Sequence, residues 1–344
     1  MVSPGTAARV HGGADAHGAA RWDFSTCANA AGPCPAALAA VQAADATRYP
    51  DPAATAVRQA LGALHDVEPS RILPAASASE FIQRVTAVTA RLWPGAVRVP
   101  RFAYGDYAAA AAAWGRPFVP QDVEVPGTPS QCTLRWHADP TSPLGQDGAV
   151  ARDDSYCCPA VLDAVYAPLR LQGASAWTAS ARDAVFVLHS PNKALGLTGV
   201  RGAYAVAPRD RGGAGYDVLA CRAALEAAAP SWPLSAHAEA MLLAWATPDV
   251  HAWVAESRTT LVAWKSDLLR RLSARGFEVR PSVTPYVIVR PPRPVAPSLL
   301  RRHHVAVRDA TSFGLPGWWR LSAQAPSAQD ALMHALDLLD GGLP

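Results

Sequence analysis

Lys193 and Arg201 stand eight residues apart in the run His189-Ser190-Pro191-Asn192-Lys193-Ala194-Leu195-Gly196-Leu197-Thr198-Gly199-Val200-Arg201. The run follows the apolar stretch Ala184-Val185-Phe186-Val187-Leu188. A deprotonated lysine amine forms an imine with an aldehyde, which an arginine cannot do at neutral pH. An arginine fork grips phosphate oxygens two at a time. The pair suits a phosphorylated aldehyde cofactor, pyridoxal phosphate. Only one other lysine, Lys265, occurs among the 31 Lys and Arg residues. Scarcity alone can reflect codon usage, so the surroundings of Lys193 must carry the case. Lys265 lies in Thr260-Leu261-Val262-Ala263-Trp264-Lys265-Ser266-Asp267-Leu268-Leu269, an amphipathic helical pattern, and is expected on the solvated face.

A pyridoxal phosphate site also needs an acid for the pyridine nitrogen, a donor to the phenolic oxygen, a phosphate cradle and a surface for the ring. Asp163 ends the run Val161-Leu162, and a carboxylate at a strand's C-terminal end points into the crevice of an open α/β sheet. Tyr166, three residues on, is the candidate donor. Either residue alone is more simply a strand cap or a core aromatic. Their position thirty residues before Lys193 favours a site. The cradle has Ser190, Arg201 and a helix start at Ser77-Ala78-Ser79-Glu80. There Ala78 and Ser79 offer free N–H groups and the positive end of the helix dipole. Such a start is otherwise an ordinary cap. Tyr107 can pack on the cofactor ring, or be core. Arg320, between Trp319 and Leu321, is a charge in apolar company and calls for an anion. A substrate α-carboxylate suits it; a neighbouring Asp or Glu is the alternative.

These residues need a scaffold of alternating elements. Short strands are expected at Arg71–Pro74, Ala96–Pro100, Val161–Asp163, Val185–Leu188 and Ala203–Val206. Helices are expected at Pro35–Ala46, Ala53–Leu64, Ser79–Leu92 and Tyr104–Trp114. That alternation indicates an α/β domain with a mostly parallel sheet. Beyond about 215, long helical patterns give way to short strands and a last helix, Ala328–Leu339, a smaller α+β domain. The expected division is an N-terminal arm, 1–46, packing on the small domain, a large cofactor-binding domain, 47–212, and a small C-terminal domain, 213–344.

The 344 residues are 50% hydrophobic and 17% charged, a globular composition. A net charge of +3 with no basic run argues against nucleic acid as a partner. No apolar stretch reaches the roughly 18 residues that span a bilayer, so no membrane association is expected. Met1–Ala20 lacks a basic segment followed by an apolar one and reads as no secretory signal. The six cysteines, Cys157-Cys158 among them, show no CxxC pair and no zinc spacing. Reduced thiols, a cytoplasmic setting and no metal are the expectation.

Together these motifs resemble the fold-type I aminotransferase superfamily, most closely histidinol-phosphate aminotransferases and threonine-phosphate decarboxylases. Ser190, Lys193, Gly196, Leu197, Gly199 and Arg201 match a Ser-x-x-Lys-x-x-Gly-Leu-x-Gly-x-Arg pattern. Asp163 and Tyr166 match its Asp-x-x-Tyr. Tyr49-Pro50-Asp51-Pro52 matches a segment whose tyrosine reaches the phosphate across a dimer interface. Asp23-Phe24-Ser25 with Asn29 and Gly32-Pro33 is similar to the family's N-terminal segment, and His11-Gly12-Gly13 to the opening of its decarboxylase branch. Val307-Arg308-Asp309 and Arg320-Leu321-Ser322 are similar to its carboxylate-binding stretch. The resemblance implies a seven-stranded, mostly parallel sheet between helices, and a homodimer with Tyr49 at the partner's cofactor. It implies amino-acid and 2-oxo-acid substrates, with Asn29 and Arg320 on the substrate side. Ser142 stands in Asp139-Pro140-Thr141-Ser142-Pro143-Leu144-Gly145, where the family carries an asparagine to the phenolic oxygen. Only 17 residues separate Gly145 from Asp163, so a helix usual there is expected to be lost. Asn192 precedes Lys193 where serine is commoner. The activity implied is transamination through a Lys193 imine. Decarboxylation of a phosphorylated amino acid is the first alternative, and a non-catalytic regulator or partner subunit on the same fold is the second.

Overall fold

The structure is a computed structural model, and it describes residues 11–122, 132–150, 158–210 and 215–341. The N-terminal arm carries β1 (Trp22–Asp23) and α1 (Pro35–Gln42). The chain continues with α2 (Thr55–His65), β2 (Ile72–Ala75), α3 (Ala78–Leu92), β3 (Ala96–Val99), α4 (Gly105–Ala113) and β4 (Phe118–Pro120). Then come β5 (Cys132–Ala138), β6 (Ala160–Asp163), α5 (Ala179–Arg182), β7 (Phe186–His189), β8 (Ala203–Val206), α6 (Val218–Ala227) and α7 (Ala236–Trp245). The long α8 (Pro248–Ala274) leads to β9 (Glu278–Arg280), β10 (Tyr286–Arg290), α9 (Pro297–Arg301), β11 (Val305–Ala306), β12 (Arg308–Asp309), β13 (Trp319–Ser322) and α10 (Pro326–Gly341).

Seven strands form one sheet in the order β2-β8-β7-β6-β5-β3-β4. Pairing from β7 through β4 is parallel, and β8 runs against both of its neighbours. Parallel strands are covered on both faces, and here each face has its own core. One holds Phe81, Val85, Val97, Tyr107, Trp136 and Phe186. The other holds Leu61, Leu162, Val187, Leu195, Met241 and Trp245. A four-stranded antiparallel sheet, β12-β13-β10-β9, belongs to the small domain. Its core joins Val287, Val289, Trp319 and Leu321 to Leu268, Leu272 and Leu332. Part of the arm meets this core, while Cys27, Cys34, Ala37 and Val41 of the arm bury with the large sheet. β1 pairs in parallel with β11, and Phe24 is fully buried in the small-domain core. Among the described residues no helix is long and apolar enough to cross a membrane.

Two expectations change. The strand Cys132–Ala138 escaped the pattern reading because it is central. Thr133 and His137 are buried in it beside Leu134 and Trp136, so no polar–apolar alternation marks it. Past the expected division at 212 the next helices still pack on the large sheet. Val218, Cys221 and Leu225 of α6, and Ala238, Met241 and Leu242 of α7, bury in the cores of the large sheet. The composition shift near 212 marks longer helices, not a new partner for them. Lys265, expected in solvent, is 6% exposed. It lies on the buried stripe Val250, Val254, Ser257, Leu261, Lys265, Leu268, Leu272, whose three- and four-residue spacing is that of a helix face. The lost helix before Asp163 agrees with the structure as far as 146–150 and 158–159, which form none; 151–157, Cys157 included, lie outside the described residues.

Candidate active site

The ends of two strands and the first turns of α3 and α4 meet at the carboxyl edge of the large sheet, where an open α/β sheet binds its ligands. β6 ends on Asp163. β7 ends on His189, and the chain then turns through Pro191–Gly196 before β8. The turn needs glycine at 196, where φ is +67° and a Cβ would lie 2.6 Å from the carbonyl oxygen of Gly32. That close approach seats the arm on the lysine turn. The Asn29 N–H donates to the Lys193 carbonyl at 2.8 Å, and the Cys34 N–H to that of Leu195 at 2.8 Å. The Asn29 amide donates to the Ala194 carbonyl at 3.0 Å and to Ser257 Oγ at 2.8 Å. Both of its N–H donors are thus committed to the protein, and Asn29 holds the lysine turn in place.

Lys193 Nζ makes no hydrogen bond among the described residues and lies 5.0 Å from the centre of the Tyr166 ring. Burial holds its pKa below the ordinary lysine value. The Asp163 charge opposes that shift, and Arg320 adds to it. The amine is therefore more easily freed of its proton than a surface lysine. Burial raises the Asp163 pKa, countered first by a hydrogen bond from Tyr107. The Tyr107 hydroxyl donates to Asp163 Oδ2 at 2.5 Å, and the Val165 N–H to Oδ1 at 3.0 Å. The Tyr107 ring stacks on Trp136 at 4.2 Å and 10°. Tyr107 is thus a buried aromatic and a partner of the acid. Trp136 behind it was not anticipated, because its strand was not.

At the start of α3, Ser77 Oγ caps the Glu80 N–H at 3.0 Å. Among the described residues the N–H groups of Ala78 and Ser79 meet no acceptor, as in any first turn. The Ser79 hydroxyl donates to Asp106 Oδ2 at 2.6 Å. Ser190 is buried, its hydroxyl directed to Asn192 Oδ1 and the Gly202 carbonyl, both at 3.1 Å. Arg201 is exposed and has no ion-pair partner among the described residues, yet its charge reaches Lys193. A free amine, a carboxylate, an aromatic surface, unpaired helix N–H groups and an unpaired arginine fork fit pyridoxal phosphate. Lys193 would hold the aldehyde, Asp163 the ring nitrogen and Tyr107 the ring face. Ala78, Ser79 and Arg201 would hold the phosphate. Tyr49 is apart from this cluster, 79% exposed, with its ring stacked on Trp232 at 4.5 Å.

On the other side, β12 and β13 place Arg308 directly opposite Arg320. Both are buried. Burial first, and then the Arg320 charge, lower Arg308 to about 10. Arg308 donates to Ser312 Oγ at 2.7 Å. Arg320 donates from Nη1 to Ser142 Oγ at 3.4 Å, its Nε has no partner, and no ion pair engages it among the described residues. The acidic groups that reach it are the Cys27 thiol and the phenols of Tyr166, Tyr286 and Tyr104. The buried-ion-pair alternative for Arg320 thus finds no carboxylate. Cys27, Tyr286 and Trp136 are site neighbours the sequence reading passed over. Cys27 stands two residues before Asn29 in a segment already singled out, which was the available signal.

Comparison with known proteins agrees with this arrangement. A family model described as aminotransferase class I and II matches residues 149–339. Histidinol-phosphate aminotransferase 2 of Rhizobium meliloti is 26% identical over 329 residues, 89% of each chain. A histidinol-phosphate aminotransferase of Acetobacter pasteurianus is 26% identical over 323 residues, 89% of this chain and 87% of that one. Among solved structures, histidinol-phosphate aminotransferase from Sinorhizobium meliloti in complex with pyridoxal-5'-phosphate superposes with a TM-score of 0.72 at 19% identity, covering 92% of this chain and 90% of that one. L-threonine-O-3-phosphate decarboxylase from Porphyromonas gingivalis gives 0.68 at 20% identity, over 88% and 92%. The fold is that of these enzymes.

The Tyr107–Asp163 bond has a pH signature. The folded pKa of Asp163 lies above its unfolded value near 3.8, so its burial costs stability only as pH rises through that window. The Tyr107 hydroxyl offsets that cost by bonding the anion. Tyr107→Phe should therefore lower the stability of the cofactor-free protein by about 1.5–3 kcal/mol near neutrality, the range for a hydrogen bond to a charged group. The loss should shrink at a pH that protonates Asp163. Denaturant unfolding of both proteins at acid and neutral pH measures it; equal losses at both would reject the assignment.

Proposed function

The chain belongs to the aminotransferase class I and II family, and on that premise we propose that its amino donor is a phosphorylated amino compound of the histidinol phosphate kind, with a 2-oxo acid as acceptor. It is a pyridoxal phosphate-dependent transaminase. The cross-strand pair Arg308–Arg320 carries the substrate class. Two guanidinium groups in that register repel each other, and an anion between them relieves the repulsion. A phosphate monoester or an oxo-acid carboxylate supplies paired oxygens to such forks. Donor and acceptor can use the same arginines in turn.

Pyridoxal phosphate, when bound, supplies the aldehyde that takes the amino group and a ring that draws electrons from the carbon losing its proton. The chain does the rest. Lys193 Nζ, kept readily deprotonated by burial, takes the proton from the substrate carbon that bears the amine. Asp163 keeps a proton on the ring nitrogen, with Tyr107 and Val165 steadying its carboxylate. Tyr166, beside Lys193, is the donor for the phenolic oxygen. Arg320 orients the substrate anion, steadied by Ser142. The exposed Tyr49, propped on Trp232, is placed to meet a second copy of the chain.

Decarboxylation is a second reading, favoured by the arm. Gly12, in the opening that is similar to the decarboxylase branch, packs so closely on Ser25 that a Cβ would lie 2.2 Å from its carbonyl oxygen. Incubating the enzyme with phosphorylated amino substrates and 2-oxoglutarate separates the two. Transamination yields a new amino acid, whereas carbon dioxide release without one would establish the second reading. The non-catalytic alternative is set aside by the family and by Lys193, Asp163 and Tyr166 standing together.

Borohydride reduction of the loaded enzyme should fix the cofactor on the peptide that holds Lys193; an adduct on Lys265 would sink the assignment. Arg320→Lys keeps the charge and loses the fork. It should weaken substrate binding by about 1.5–3 kcal/mol while the visible absorbance of the bound cofactor persists. Normal substrate binding with loss of cofactor would mean that Arg320 faces the phosphate instead. Sedimentation at micromolar concentration should give a dimer, and Tyr49→Ala should weaken cofactor retention; a fully active monomer would refute this.

A further inference from the structure

Lys265 is not in the cleft, yet it is buried with its amine turned onto one backbone group. Nζ donates to the Ser282 carbonyl. Ser282 lies in the segment 281–286 that leads into β10, and this segment straps the small domain to the large one. The Val283 N–H donates to the Gly145 carbonyl at 2.6 Å, and the Leu171 N–H to the Val283 carbonyl at 2.7 Å. The Tyr286 hydroxyl donates to the Thr141 carbonyl at 2.7 Å. Gly145 is pressed against the strap: a Cβ there would lie 2.3 Å from Ser282 Oγ and 2.4 Å from Thr284 Oγ1.

The strap therefore grips both ends of the turn 141–145, which closes on itself through the Gly145 N–H and the Thr141 carbonyl at 2.7 Å. Ser142 is presented from that turn to Arg320. The same strap carries Tyr286, whose ring centre is 5.3 Å from the Arg320 guanidinium carbon and 4.8 Å from the Tyr166 ring. The small domain's long helix thus reaches the substrate arginine through one carbonyl and two hydrogen-bonded backbones.

We propose that Lys265 is a positioning residue for substrate binding: its amine anchors the Ser282 carbonyl, and with it the strap 281–286, onto the turn that sets Ser142 and Tyr286 around Arg320. The proposal rests on Arg320 as the site of the substrate anion. Burial is the single cause that lowers Lys265, to about 8, so an uncharged amine is present at pH 8 and access limits its acylation. With Lys193 taken up by the cofactor, Lys265 is the one free ε-amine in the chain.

The test uses the cofactor-loaded full chain and glutarate, an unreactive dicarboxylate, as the anion. Acetic anhydride at pH 8, read by peptide mapping, should label Lys265 slowly, and saturating glutarate should slow it ~5–10-fold, because coupling between two sites is reciprocal. Lys265→Met should raise KM for the substrate by a similar factor with kcat nearly unchanged. Lys265→Gln, which retains a donor, should recover part of the loss. If glutarate binds, seen as a shift of the cofactor absorbance, but leaves labelling unchanged, Lys265 is a core residue and the proposal fails, even should Lys265→Met prove insoluble. If glutarate does not bind at all, the reading of Arg320 fails and takes this one with it.

Discussion

Uncompensated positive charge is what this site is organised around. The Arg320 charge bears on the buried Lys193 amine, and among the described residues Asp163 is the carboxylate that opposes it. Burying positive charge away from water is costly. The protein tolerates it because burial keeps Lys193 readily deprotonated and leaves the arginines ready for anions that arrive from outside. A phosphorylated cofactor and an anionic substrate complete the charge balance. Arg201 and Arg320 have no ion pair among the described residues; Arg201 is exposed, and Arg320 lies against Tyr286 and Phe313.

Such a site needs a rigid mount, since misplaced charge repels instead of binding. Two devices supply it, and both end on α8. The arm crosses from the small domain, where β1 joins β11, to the lysine turn, where Asn29 bonds the Lys193 backbone and Ser257. The strap 281–286 crosses back, tied to α8 through Lys265. The two contact points, Ser257 and Lys265, lie on one buried face of the helix eight residues apart. The helix therefore sets the distance between the cofactor side and the substrate side from a single rigid element.

Legibility in the sequence followed the local character of each signal. The lysine turn, Asp163 with Tyr166 and the cap of α3 were readable because residue type and short spacing are enough to mark them. Strands β6, β7 and β8 were readable as apolar runs. Strand β5 was not, because burial on both faces erases alternation and lets Thr133 and His137 sit inside. Helix length, which marks the shift near 212, says nothing about which sheet a helix covers. Lys265 misled for a different reason. Lysine is nearly always solvated, and that prior outweighed a helical spacing that put it on the stripe with Leu261 and Leu268. The pairing of Arg308 with Arg320 depends on the register of two strands separated by a loop, which only the fold reveals.

Ser142 acquires a different meaning once the fold is known. In the family it resembles, an asparagine at this position serves the phenolic oxygen of the cofactor. Here the shorter side chain turns its oxygen toward Arg320, at a distance that makes a loose tether. The Tyr166 ring is braced by Tyr286 and faces the Lys193 amine, where the proposed donor to the phenolic oxygen would act. Tyr286 in turn hangs from the Thr141 carbonyl, one residue before Ser142. The residue that departs from the family's asparagine thus ties the turn to Arg320. It also explains why the strap matters here: with only a hydroxyl reaching Arg320, the placement of the whole turn decides whether that reach is made.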